Sequence, residues 1–297
     1  MKVSVPKLLS ILGFAFLFSC KQKVLVPVSP TNNTLLWEVS GNGLKTPSYF
    51  LGTMHLMCAD DAVLSSGVLT VLKHVQQVYL EVDMDDLSEL LSGVTSLAMK
   101  NGTTLSDLLN EDDYQKVRSF FENYQPGMPF KALERQQPMM ISSGLYELFL
   151  DCEKKNGIDL RIIDEASRLK LPTKGLETMA FQSSIFDSIP YEKQARDLVK
   201  TIDSIGKYKA AMDEMVKIYR DQDIEKLFEL SKAEDSGVNN HLDLLLYNRN
   251  ENWVKQFDGI AKKHTTLFAV GAAHLGGEKG VLALLRLKGY TLKPLVN

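Results

Sequence analysis

The sequence predicts a mixed α/β fold: a mixed sheet built from two pseudo-repeated βαβ units, with helical insertions that form a cap. Three observations predict it. The apolar runs "YFLGTMHLM" (Tyr49–Met57) and "LFAVGAAHLG" (Leu267–Gly276) each contain Gly-x-x-His near their end. Each is followed by a stretch of helical periodicity and then by another short apolar run. Between these two units the apolar residues recur mostly at three- and four-residue spacing, which marks amphipathic helices.

The first twenty residues stand apart from the fold. Lys2 and Lys7 form a positive n-region, Leu8–Phe18 a short apolar core, and "LFSC" ends it with a small residue before Cys20. The run is well short of the about 20 apolar residues that a bilayer-spanning helix needs. The pattern resembles a bacterial lipoprotein signal. On that reading the chain is lipid-anchored to the membrane through Cys20, at the cell envelope and facing the periplasm. The alternative is an ordinary secretory signal in which Cys20 is incidental. Residues 21–34, "KQKVLVPVSPTNNT", have neither strand nor helix periodicity and read as a tether. Residues 35–297 then form a single domain.

Within that domain "LLWEVSG" and "SYFLGTMH" read as strands around the turn-rich "NGLKTP". Leu64, Val68, Val71, Leu72 and Val75 have helical spacing, and "QVYLEVD" follows as a strand carrying Glu81. That order is a βαβ unit. A first helical insertion covers about 85–153, with "LSELLSGVTSLAM", "DDYQKVRSFF" and "PMMISSGLYELFL" as its clearest segments. "IDLRIID" and "LPTKGLET" read as strands around the helix "EASRLK". A second helical insertion covers about 185–263. The tail repeats the opening unit: strand "TLFAVGAAH", helix "EKGVLALLRLK" closed by Gly289, and strand "YTLKPL".

Composition narrows the function. Across 297 residues the chain is 44% hydrophobic and 24% charged, with a formal net charge of −3 and no long basic run. Nucleic-acid binding therefore has no electrostatic support. Beyond Cys20 the cysteines are Cys58 and Cys152, both beside apolar residues; they either pair in an oxidising compartment or stay buried as free thiols. There is no H-E-x-x-H and no Gly-x-Ser-x-Gly, so neither a zincin helix nor a serine-hydrolase elbow is present.

In open α/β sheets functional groups collect where strands end, and His55 and His274 both fall there. Two imidazoles in the same βα setting point to a metal, because neutral imidazole is the commonest protein metal ligand. Glu81 lies late in a strand, and Glu177 in "KGLETM" lies at a strand-to-helix junction. Taken alone, the first reads as a solvent-facing glutamate and the second as an acid at a helix start. Arg249 occupies the apolar stripe Leu242, Leu245, Leu246, Arg249, Trp253, Phe257, where it either meets an anionic partner or snorkels past the core edge. Asn250 beside it adds a hydrogen-bonding group.

Together "GTMH", "YLEVD", "GLET", "RN" and "GAAH", in that order, resemble the TraB/GumN family, which includes the animal Tiki proteins and bacterial pheromone-shutdown proteins. The resemblance runs from about Leu35 to Leu295. It implies an α/β fold related to erythromycin esterase and haem-binding ChaN-like proteins. It also implies a divalent metal, manganese or cobalt by the Tiki proteins' description as metal-dependent proteases, with zinc also compatible. Carried over by position, His55 and His274 are the motif histidines, Glu81 and Glu177 the two acidic residues, and Arg249 and Asn250 the late pair.

The expected function is a divalent-metal-dependent hydrolase of the envelope, acting on a peptide or protein substrate. His55, His274 and Glu81 are the expected metal ligands; Glu81, Glu177, Arg249 and Asn250 are the expected catalytic residues. Which glutamate is ligand and which is base stays open at this level. The alternative is a non-catalytic envelope protein that sequesters a peptide, haem or another small ligand. Substrate, metal identity and oligomeric state have no signature in the sequence.

Overall fold

The computed structural model describes residues 33–89, 93, 97–124, 129–232 and 241–297. The expected signal with Cys20, nearly all of the expected tether and part of the expected helix over 87–99 lie outside the described residues.

The architecture is mixed α/β. The strands are β1 (Leu36–Ser40), β2 (Ser48–Thr53), β3 (Met57–Cys58), β4 (Gln77–Val82), β5 (Lys155–Asn156), β6 (Thr173–Glu177), β7 (Thr266–Gly271) and β8 (Thr291–Pro294). Six of them form one sheet in the order β6-β4-β7-β2-β1-β8, and β3 pairs with β5 separately. Strands β6, β4, β7 and β2 are parallel to their neighbours in that run, whereas β1 is antiparallel to both β2 and β8.

The two strand–helix–strand units interleave. From β2 the chain passes through helix Ser66–Leu72 to β4, and β7 lies between those two strands. From β7 it passes through helix Val281–Leu287 to β8, crossing β2 and β1. Interleaving makes β2 and β7, the strands that precede the two histidines, direct neighbours, with Thr53 opposite Gly271. The register of β4 on β6 sets Val82 opposite Glu177. Both acidic residues and both histidines therefore reach the carboxyl edge of one parallel run.

Burial explains the strand sequences. The middle of β7, Leu267–Val270, is fully buried, as expected for a central parallel strand with both faces covered. Phe50 stacks on Phe268 at 4.9 Å between ring centroids, and Phe257 packs on Phe268 at 5.2 Å and edge-on to Tyr290 at 5.0 Å. Each buried ring contributes about 1.5–3 kcal/mol relative to exposure. This aromatic cluster fastens helix Asn248–Ala261 to the sheet, and Arg249 and Asn250 open that helix. Among the described residues no helix is long and apolar enough to cross a membrane.

One local expectation is revised and one open alternative is decided. "IDLRIID" is not a strand but opens helix Ile158–Arg168, which buries Ile158, Ile162, Ile163 and Ala166 on one face. Isoleucine favours strands locally, yet the i, i+4, i+5, i+8 spacing buries a single face only as a helix. Cys58 and Cys152 form a disulfide with 5.8 Å between Cα atoms, so they are not free thiols. Closing a loop across 94 positions removes unfolded-chain entropy worth about 4–5 kcal/mol in the chain-entropy account.

Candidate functional site

The site forms at the carboxyl edge of β2, β7, β4 and β6. His55 lies two residues beyond β2, and His274 ends the short 3-10 turn Ala272–His274 after β7. Glu81 is the penultimate residue of β4 and Glu177 the last of β6. The Nε2 atoms of His55 and His274 lie 3.9 and 3.8 Å from the same atom, Glu81 Oε1. All six residues singled out in the sequence belong to one connected cluster.

Each imidazole is oriented from behind. His55 Nδ1 donates to Asp159 Oδ2 at 2.8 Å, and Asp159 Oδ1 accepts from the Thr53 hydroxyl at 2.7 Å. His274 Nδ1 donates to Asn250 Oδ1 at 2.6 Å, while Asn250 Nδ2 donates to the Lys279 carbonyl at 2.9 Å. That pair of bonds fixes the Asn250 amide orientation and leaves the lone pair of His274 on Nε2. A proton on Nδ1 and a lone pair on Nε2 is the arrangement seen for metal-bound histidines.

Arg249 draws the two acids together. Its Nε donates to Glu177 Oε2 at 2.9 Å, and its Nη2 reaches Glu81 Oε2 at 2.5 Å and Glu177 Oε2 at 2.9 Å. Its Nη1 donates to the Leu245 carbonyl at 3.0 Å and to His274 Nε2 at 3.3 Å. Hydrogen bonds engage four of the five N–H donors of the guanidinium, and Nη2 also stands in ion-pair contact with Glu177. The Leu245 carbonyl lies in a π-helical turn, Asp243–Tyr247, which leads directly into the helix; such turns recur at functional sites. Below the cluster, Trp253 packs 4.4 Å from the His274 ring and 4.9 Å from the guanidinium carbon.

The charges set the protonation states. Burial would raise the Glu81 carboxyl, but Arg249, both histidines and the Gly271 N–H outweigh it and hold the group well below the usual carboxylate range. Burial pushes His274 down to about 3, so it is neutral. The Asp159 carboxylate raises His55 to about 9, against a smaller opposing effect of desolvation.

The donor set fits a divalent ion in kind and orientation: two imidazole Nε2 atoms and one carboxylate oxygen converge. Tetrahedral ligands at about 2.1 Å from zinc stand about 3.4 Å apart, slightly closer than the 3.8–3.9 Å found here. Among the described residues no three His, Cys, Asp or Glu side chains form a ready metal-holding group. Arg249 offers a reason, since Nη1 occupies the Nε2 lone pair of His274. Gly271 keeps the centre open: a Cβ there would lie 3.2 Å from Glu81 Oε1, 3.5 Å from His274 Cδ2 and 3.8 Å from His55 Nε2.

Sequence reasoning missed Asp159 and Gln182. Gln182 Nε2 donates to Glu81 Oε2 at 3.3 Å and Glu177 Oε2 at 3.2 Å. Reading 158–168 as a helix would have set Asp159 beside Ile158 and Ile162 on the buried face, where a carboxylate demands a partner. His74 and His264 are exposed and stand outside the cluster.

The sequence model of the TraB/PrgY/gumN family matches residues 35–294. Human metalloprotease TIKI1 is 23% identical over 91% of this chain and 63% of its own length. Metalloprotease TIKI2 of Danio rerio is 22% identical over 90% and 62%, and metalloprotease TIKI1 of Xenopus tropicalis 23% over 87% and 61%. The chain thus spans less than two-thirds of the length of these relatives. No solved structure matches.

Proposed function

Since the chain belongs to the TraB/PrgY/gumN family, we propose that it is a divalent-metal-dependent hydrolase that acts on peptides at the cell envelope, anchored through Cys20. The observation that carries this reading is the convergence of the His55 and His274 Nε2 atoms on Glu81 Oε1, each ring held from behind through Nδ1. The relatives' name, metalloprotease, supports both the metal and the peptide substrate. Manganese, cobalt and zinc all suit this nitrogen and oxygen set.

His55 Nε2, His274 Nε2 and Glu81 Oε1 would hold the ion. A bound divalent ion of this kind polarises a substrate carbonyl and brings the pKa of water toward about 7. Asp159 and Asn250 orient both rings through Nδ1. Neutral His274 presents its Nε2 lone pair, whereas His55, with its pKa raised to about 9, presents one only on giving up its Nε2 proton to the ion. Glu177 is occupied by Arg249 and Gln182 with its side chain only 4% exposed; it serves as the holder of Arg249 rather than as a proton acceptor. With its Nε2 given to an ion, His274 would no longer accept from Arg249 Nη1, and that N–H would be free to donate to a carbonyl oxygen on which negative charge develops.

The test is metal content of the full chain, purified without chelator or immobilised nickel and supplied with manganese, cobalt or zinc. About one ion per chain is expected, lost in His55→Ala and His274→Ala. Cleavage of a peptide library is expected to disappear in Glu81→Gln. Folded wild-type protein that takes up no ion under any supply overturns the metallohydrolase reading. A second reading, a protein that binds an anionic or carbonyl-rich ligand without turnover, is favoured by the insertion of Arg249 between His274 and Glu81. Stoichiometric peptide or haem binding that survives metal removal would select it.

A further inference from the structure

The two histidines of the site are held in unlike ways. His274 has 6% of its side chain exposed and is fixed by the core residues Asn250 and Trp253. His55 keeps 64% of its side chain exposed and sits in a loop, Met54–Ala62, that leaves the main sheet. Its closest side-chain partner, Asp159, comes from a segment about a hundred residues later.

That segment is clipped to the His55 loop from both sides. Met57 and Cys58 pair with Asn156 and Lys155 in the two-residue β3/β5 ladder. Ala59 N–H donates to the Lys154 carbonyl at 2.9 Å, and Ile158 N–H to the Met54 carbonyl at 3.0 Å. Gly157 lies so close that a Cβ there would stand 2.1 Å from the His55 carbonyl oxygen. Arg161 Nε donates to the Ala62 carbonyl at 2.9 Å. Across this ladder the half-buried Cys58 and Cys152 close the disulfide. A two-residue ladder is too short to hold by itself; the disulfide is the covalent one of these fastenings and the one that reduction opens.

We propose that the Cys58–Cys152 disulfide is a covalent lock on the His55 half of the site, acting through Asp159 as the positioning residue. Reduction by a dithiol releases Asp159 from His55 and leaves the His274 half in place. In that step the S–S bond breaks, two electrons and two protons pass from the dithiol to Cys58 and Cys152, and the dithiol leaves as its own disulfide. The geometric claim stands without a metal; only its consequence for ion affinity rests on the function proposed above.

The experiment follows hydrogen-bonded imidazole Nδ1–H protons by NMR in the full chain, assigned with His55→Ala and His274→Ala. Oxidised protein should show two exchange-protected Nδ1–H signals. Dithiothreitol, or Cys58→Ser with Cys152→Ser, should remove the His55 signal and keep that of His274. Asp159→Leu should do the same with the disulfide intact, and Asp159→Asn should restore it, because an amide oxygen accepts from Nδ1 as Asn250 does. Cobalt affinity should fall at least tenfold wherever the His55 signal is lost. An unchanged His55 signal after reduction overturns the lock, and so does loss of both signals, which would mean global unfolding. If Asp159→Leu does not fold, reduced wild type and Asp159→Asn decide the matter. Signals that move as expected in a protein that never binds cobalt leave the lock standing and remove the metal reading.

Discussion

Gly271 donates its backbone N–H to Glu81 Oε1 at 2.8 Å, the same oxygen that faces both histidines. The bond ties the end of β7 to the end of β4 and aims the carboxylate at the centre of the site. It also gives the second motif glycine a steric purpose. Gly271 has φ −50° and ψ 133°, a backbone conformation open to any residue, so the space beside it is what requires glycine.

Gly271→Ala should therefore act on the site more than on the fold. Its methyl group would fill the gap between Glu81, His274 and His55. Ion stoichiometry is expected to collapse while urea stability changes by less than about 1 kcal/mol. Gly52→Ala is the contrast, because its Cβ would stand 3.0–3.1 Å from Leu35 and Ala272. Overpacking there should cost about 1–3 kcal/mol. Equilibrium denaturation and metal analysis of both variants separate the two effects.

Arg249→Met should be strongly destabilising at neutral pH. It leaves Glu81 and Glu177 buried without their cation, a loss of about 3–5 kcal/mol. Arg249→Lys keeps the charge but not the fork that spans both carboxylates, and should recover only part of that stability. Urea titrations at pH 7 and pH 5 test the cause: the deficit of the methionine variant should shrink at the lower pH, as the unpaired carboxylates accept protons.

Metal-free protein should be most stable near pH 6.5. His55 is raised from 6.5 to about 9, so its contribution is full below pH 6.5 and is lost as pH rises through about 9. His274 is lowered from 6.5 to about 3, so the unfolded chain takes up the extra proton and stability falls as pH drops from 6.5 toward 3. Glu81, held below its ordinary 4.5, adds a further loss below pH 4.5. Denaturation of apo-protein from pH 4 to 10 should give a dome. His55→Ala should flatten its alkaline side and His274→Ala its acid side.

Asn250→Ala should weaken ion binding without removing a ligand. His274 Nδ1 would lose its acceptor and the Lys279 carbonyl its donor. Removing such an orienting partner typically lowers metal affinity about 10–100-fold. Competition with a chromophoric chelator measures it, and wild-type affinity in this variant would show that Asn250 does not orient His274.

Much of this arrangement was legible before any coordinates. His55, Glu81 and His274 follow or end short apolar runs and Glu177 stands at a strand-to-helix junction, and the strand-end rule gathers such residues on one edge. Arg249 was visible because it interrupts an apolar stripe. Asp159 was hidden by local preference: Ile158, Ile162 and Ile163 look like a strand until burial selects a helix. Gln182 carried no signal, since its partners Glu81 and Glu177 lie on different strands.

By itself the sequence determined the α/β class, the two Gly-x-x-His strand ends and the identity of the charged residues, because periodicity and turn chemistry act over a few neighbouring positions. Only the tertiary structure decided that β7 enters between β2 and β4, that Cys58 joins Cys152, that Asp159 stands behind His55, and that Glu177 holds Arg249. Those outcomes depend on contacts between residues 72 to 218 positions apart. Packing and charge neutralisation choose such partners only once the sheet has brought its strand ends together.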